Sequence, residues 1–155
     1  MNPEQQQTPL NILLADDDAD DCFFFEKALR EISILTQVIV VNDGEQLMDF
    51  LSKNSAQLPD VLFLDLNMPR KSGFECLTEI MENTKLKELA VVMYSTSYTQ
   101  DPNYEQSIIN VLYKLGAKDY IRKPGEFAKL KELIQQSLIK VIELKQNEIV
   151  LKQSN

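Results

Sequence analysis

Five short runs of β-branched and other apolar residues, separated by stretches of helical periodicity, limit this chain to very few architectures. The runs are 11–15 (NILLA), 37–41 (QVIVV), 60–64 (DVLFL), 90–94 (AVVMY) and 119–122 (DYIR). Several are almost continuously apolar, as parallel strands covered on both faces should be. Between them, Phe24, Ala28 and Leu29, then Leu47, Phe50 and Leu51, then Phe74, Leu77 and Ile80, and finally Ile108, Val111, Leu112 and Leu115 recur at helical steps. Gly116 is placed to cap the last of these. A fifth helix is predicted from about Glu126, just after Pro124-Gly125. Strict alternation predicts a doubly wound α/β sheet, and five strands favour the flavodoxin-like (βα)5 order 2-1-3-4-5 over a Rossmann order.

The composition narrows the chemistry. A chain of 155 residues, 44% hydrophobic, fits one globular domain and leaves little for a second. A net charge of −8 and the absence of a basic recognition helix disfavour DNA and other nucleic-acid binding. There is no histidine, which excludes a Ser-His-Asp triad, a Cys-His pair and a His-ligated zinc. Cys22 and Cys76 lie far apart without metal-ligand spacing and read as reduced, buried thiols. The polar start MNPEQQQTP lacks a signal-peptide core, and no apolar run reaches bilayer length, so the expectation is a cytoplasmic protein that does not enter the membrane.

The acidic residues carry the functional signal. In open α/β sheets, ligands bind beyond the carboxyl ends of the strands at the point where the winding reverses, here between strands 1 and 3. Asp16 and Asp17 directly follow the first strand and Asp65 directly follows the third. With neighbouring strands roughly 4.8 Å apart, these carboxylates crowd one crevice. Like charges about 4 Å apart repel by ~1 kcal/mol in water and ~4 kcal/mol at an effective dielectric of 20. A small divalent cation relieves that cost, and Mg²⁺, which favours few carboxylates plus waters and phosphate oxygens, fits better than Ca²⁺. Ser95 after the fourth strand offers a hydroxyl donor and Lys123 after the fifth a cation. An aspartate nucleophile, a metal, a donor and a cation around one point suit phosphoryl transfer.

Blander roles exist for the same residues. An acid after a strand is often a helix N-cap, which could account for part of Asp16–Asp18 and Asp20, and a single lysine is often a solvated charge. Neither explains acids, hydroxyl and lysine at successive strand ends. The alternate spacing of Asp16, Asp18 and Asp20 imitates an EF-hand, but Asp21 stands where the glycine is needed and Lys27 where the bidentate glutamate belongs.

At four strand ends the sequence resembles the receiver domains of bacterial two-component response regulators. ILLADDDADD is similar to the family's first strand and acidic pair, LFLDLNMPRKSG to its phosphorylated aspartate and following loop, YSTS to its hydroxyl position, and GAKDYIRKPG to its aromatic, lysine and proline. The resemblance runs from about Ile12 to about Leu138. It implies Asp65 as phosphoacceptor, Asp17 as the direct Mg²⁺ ligand, Asp16 acting through metal-bound water and Asn67 offering its backbone carbonyl to the metal. It further implies Ser95 and Lys123 on the phosphoryl oxygens, Ser95 and Tyr120 as switch residues, and a cis bond before Pro124. Ser95 stands where threonine is commoner, and Thr96 is larger than the residue often found there, which narrows access to the phosphoryl group.

The function implied is a single-domain response regulator. It takes its phosphoryl group from a sensor histidine kinase or phosphotransfer protein, and its surface of helix 4, strand 5 and helix 5 shifts toward a downstream protein target. It is not an enzyme acting on external substrate. The LDLNMP form especially resembles the single-domain regulators that partner phytochrome-type and hybrid histidine kinases. Two alternatives differ in class. A phosphorylation-independent adaptor would have tended to lose the acids, acceptor or lysine, all of which are present. An aspartyl-phosphate hydrolase of the haloacid-dehalogenase type needs an acid two residues after the nucleophile, where Asn67 stands.

The expected organisation is a disordered tail over 1–9, the receiver over 10–140 and an extension of the last helix over 141–155. Phe127, Leu130, Ile134, Leu138 and Val141 form one apolar stripe, and Ile142, Leu144, Ile149, Val150 and Leu151 follow it. The imperfect heptad disfavours a long coiled coil, and a homodimer or kinase contact is the expected use of this overhang.

Overall fold

A computed structural model describes residues 8–96 and 101–153 of the protein. The strands are β1 (Leu10–Ala15), β2 (Thr36–Val41), β3 (Val61–Leu64), β4 (Ala90–Ser95) and β5 (Asp119–Arg122). The helices are α1 (Ala19–Glu31), α2 (Gly44–Lys53), α3 (Gly73–Glu82), α4 (Pro102–Leu115) and α5 (Phe127–Gln153). All four strand pairings are parallel, in the order β2-β1-β3-β4-β5. This is the flavodoxin-like arrangement that the alternation predicts. Residues 1–7 of the expected tail, residues 97–100, which include the last serine of YSTS, and residues 154–155 lie outside the described residues.

The central strands are apolar on both faces because both are covered. Leu13, Ala15, Leu62, Leu64, Val91 and Met93 point into one core layer with α2, α3 and Leu112 of α4. Ile12, Leu14, Val61, Phe63, Val92 and Tyr94 point into the other, with α1 and α5. Side chains alternate along a strand, so one run of residues feeds both layers. Each fully buried Leu or Ile is worth about 1.5–3 kcal/mol, which makes the two layers the main source of stability.

The first helix turns differently from the predicted stripe. Phe24 is 43% exposed and Phe25 fully buried, so that α1 faces the sheet with Cys22, Phe25, Ala28 and Leu29. Three consecutive phenylalanines leave the choice to tertiary packing. Phe63 and Tyr94 decide it, since the Phe25 ring meets theirs at centroid distances of 4.9 and 5.5 Å. In α4, likewise, Val111 faces outward and only Leu112 is buried. Gly116 ends that helix at φ 120°, the left-handed conformation that glycine adopts without strain.

The last helix runs for 27 residues, about 40 Å at 1.5 Å per residue. Its buried positions are Leu130, Ile134, Ser137, Leu138 and Val141. One turn beyond Val141, Lys145 forms an ion pair with Asp60, whose other carboxylate oxygen accepts the Asn11 N–H at 2.7 Å. Further on, Ile149, Val150 and Leu151 are all more than half exposed.

Candidate functional site

Asp16, Asp17, Asp65, Ser95 and Lys123 meet at the carboxyl ends of β1, β3, β4 and β5. The fold delivers them by register. Ala15 pairs with Leu64, Leu64 with Met93 and Ser95 with Arg122, so that the residues at or just beyond these strand ends share one rim of the sheet. Main-chain bonds extend the pairing past the strands: Asp16 N–H donates to the Val41 carbonyl, Asp65 N–H to Ala15 and Lys123 N–H to Ser95, at 2.9–3.0 Å. The helix-capping role belongs to Asp18, whose carboxylate accepts the Asp21 N–H at 3.0 Å. Asp16 and Asp17 are thereby left to the crevice.

The Asp65 carboxylate is held on both sides. Asp65 is 5% exposed, and its Oδ1 accepts the Ser95 hydroxyl at 3.1 Å and the Asn67 N–H at 3.2 Å. Its Oδ2 faces the Lys123 Nζ at 3.5 Å. Lys123 is bound more closely elsewhere, with Asp16 Oδ2 at 2.7 Å and Asp21 Oδ2 at 2.9 Å. Its ammonium also lies 4.8 Å above the Tyr94 ring. Burial alone would lower the lysine's pKa, but the bonds to Asp16 and Asp21 outweigh it and hold the ammonium above the ordinary lysine range. Burial pushes the Asp16 carboxyl up to about 6 even though Lys123 pulls it back. The ammonium stays charged.

A hard divalent cation fits this donor set. Asp16, Asp17 and Asp65 each offer a carboxylate oxygen, and the three atoms lie within 4.8 Å of one another. Asp16 and Asp65 are buried while Asp17 is exposed, which leaves one ligand facing solvent and room for metal-bound water. Three carboxylates, those of Asp16, Asp21 and Asp65, lie within 3.5 Å of the one ammonium.

Two groups around the site were not singled out in the sequence for this place. Asp21 stands in the first turn of α1, three residues after the N-cap Asp18, and not at a strand end. The Tyr94 ring became visible only with the turn of β4. One expectation is overturned: the Lys123–Pro124 bond is trans, and no peptide bond among the described residues is cis. Trans is the intrinsically favoured isomer by ~0.5–1 kcal/mol, and in it Lys123 already reaches its partners. Tyr120 lies half-buried on β5 against the core layer that includes Leu112. Thr96 is exposed, and its carbonyl accepts the Ser95 hydroxyl at 3.3 Å. No helix among the described residues is long and apolar enough to cross a membrane.

Comparison with known proteins agrees with this geometry. The response regulator receiver domain family matches residues 12–135. Response regulator Rcp1 of Synechocystis sp. is 29% identical over 136 residues, covering 85% of this chain and 88% of that protein. Among solved structures, the phosphorylated cyanobacterial phytochrome response regulator RcpA superposes with a TM-score of 0.72 at 30% identity, over 83% of this chain and 91% of that one. The Mn²⁺-bound form of Rcp1 gives 0.71 at 30% identity, over the same shares of the two chains. The chain belongs to the response regulator receiver domains of two-component signalling.

Proposed function

We propose that this receiver accepts a phosphoryl group on Asp65 from the phosphohistidine of a sensor histidine kinase or phosphotransfer protein, and that it signals through the resulting change of charge. The observation that carries the reading is the setting of Asp65: a buried carboxylate bonded by the Ser95 hydroxyl, faced by Lys123 and clustered with Asp16 and Asp17.

Asp16, Asp17 and Asp65, with the Asn67 carbonyl, would hold Mg²⁺. When bound, the ion neutralises charge on the acceptor and on the incoming phosphoryl oxygens. The residues supply the remainder. An Asp65 oxygen attacks phosphorus, the P–N bond breaks and its electron pair stays with the leaving imidazole nitrogen, which takes a proton. Ser95, now bonded to Asp65 Oδ1, has its hydroxyl free to turn toward a phosphoryl oxygen, and Lys123 supplies positive charge on the other side. The movement of Ser95 and a reorientation of Tyr120 would shift the surface of α4, β5 and α5 between two states, which a downstream protein target reads.

The chain's own activity is confined to this transfer and the slow loss of the phosphate. The likeness to RcpA favours a phytochrome-type kinase as the donor. The test is incubation with acetyl phosphate and Mg²⁺ followed by intact-mass measurement. The wild type should gain one phosphate that Asp65→Asn cannot, and equal labelling of that variant would overturn the assignment.

A further inference from the structure

The Lys123 ammonium has three protons and three carboxylates to give them to, at unequal distances: Asp16 at 2.7 Å, Asp21 at 2.9 Å and Asp65 at 3.5 Å. Asp16 and Asp65 belong to the oxygen cluster suited to a metal, and Asp21 does not. It stands in the first turn of α1 with its side chain one-third exposed, while that of Lys123 is only 7% exposed. The Tyr94 ring lies against the same ammonium. Its position is therefore set by fixed neighbours, among which Asp21 alone can be changed without touching the metal ligands, the acceptor or the core.

We propose that Asp21 is a positioning residue for Lys123, drawing the ammonium away from Asp65 until a phosphoryl group competes for it. The inference rests on the reading of Asp65 as phosphoacceptor. In the resting protein Asp21 keeps the lysine from occupying the Asp65 oxygen that a divalent cation needs. After phosphoryl transfer the new oxygens must win a lysine proton from Asp21, so that this one residue sets the balance between two positions of Lys123. A helix-terminal acid serving only the α1 dipole would do neither.

A double-mutant cycle with Mg²⁺ and beryllofluoride, a tetrahedral stand-in for the phosphoryl group, tests this. Asp21→Asn keeps the shape and removes the charge, and it should bind beryllofluoride about fivefold tighter, the scale of a partly exposed charged hydrogen bond. Asp21→Glu should stay near the wild type. In a Lys123→Gln background the Asp21→Asn gain should vanish. A gain of the same size without Lys123 would mean that Asp21 acts as a plain charge, and no gain in the wild-type background would mean that it does not restrain the lysine. Either result overturns the inference. The wild type gives an independent reading: with lysine side chains ¹³C-labelled, the Lys123 Cε resonance should move when beryllofluoride is added, and a stationary resonance overturns it too. If the wild type binds no beryllofluoride in Mg²⁺, the phosphoacceptor reading itself falls, a result distinct from a missing Asp21 effect.

Discussion

Gly73 lies so close to the main chain of Asp65 that a methyl group on its Cα would meet the Asp65 carbonyl oxygen at 2.2 Å. The same group would stand 2.7 Å from the Leu66 Cα, and the Gly73 N–H already donates to the Leu66 carbonyl at 2.8 Å. The loop that carries Asn67 is thus folded back onto the end of β3 by direct backbone contact. Gly73→Ala should cost ~1–3 kcal/mol, as overpacking of rigid backbone does, and should weaken Mg²⁺ binding by moving Asp65. Urea denaturation and a metal titration measure both, and unchanged values would show that the loop yields without cost.

Asp16 predicts a pH dependence. Its carboxyl, pushed up to about 6 by burial, takes a proton more readily in the folded than in the unfolded chain, where 3.8 is the ordinary value. Its contribution to stability is therefore fully present below that ordinary value and is lost as pH rises through about 6. A divalent cation needs the ionised form, so stabilisation by Mg²⁺ should grow over the same window. The rise in Tm with Mg²⁺ should be clear at about pH 7.5 and nearly absent at about pH 5, whereas equal shifts would contradict the role of Asp16.

Asp17 and Asp16 should not be equivalent. Asp17 is exposed and free to face a metal directly, whereas Asp16 is buried and committed to Lys123. Asp17→Ala should reduce Mg²⁺ affinity at least tenfold with little loss of stability, and Asp16→Ala should reduce it less. Equal losses would mean that the pair shares the ion evenly.

The two cysteines should be inert. Burial pushes both thiols up to about 12, so neither forms thiolate at neutral pH. An aromatic disulfide reagent at about pH 8 should label the native protein slowly and both thiols at once in denaturant. Rapid native labelling would show that α1 or α3 opens readily.

For the end of α5 we expect a contact with a second copy or with the kinase. Cutting after Lys140 would also remove the buried Val141 and the Lys145 partner of Asp60, so the cleaner cut is after Gln146. That variant should keep its urea midpoint and lose self-association or kinase affinity, read by light scattering and a binding assay. If neither changes, the exposed Ile149, Val150 and Leu151 have no such role.

Strand positions, sheet order and the convergence of Asp16, Asp17, Asp65, Ser95 and Lys123 were legible because each depends on local pattern. An apolar run names a strand, and a polar residue directly after it names the rim. Facing within helices was harder. The choice among Phe23, Phe24 and Phe25 depends on rings supplied by β3 and β4, and no periodicity within α1 contains them. The sharing of Lys123 was hidden for a similar reason: Asp21 lies in the first turn of α1, not at a strand end, and the packing of that helix brings its carboxylate to the lysine. The trans bond before Pro124 could not be read from the sequence, since Lys-Pro permits both isomers.

The single buried residue of α4, Leu112, has a thermodynamic consequence. Free energy of local opening follows the apolar contacts that opening must break, and a 14-residue helix that fully buries Leu112 and only half-buries Ile108 and Leu115 breaks few. Its amides should exchange with solvent well before those of α3, which buries Cys76, Leu77 and Ile80. The receiver would then behave as two cooperative units of unequal strength, with a firm sheet and a weakly held α4. A charge change of modest energy at Asp65 could rearrange the weaker unit while leaving the other intact.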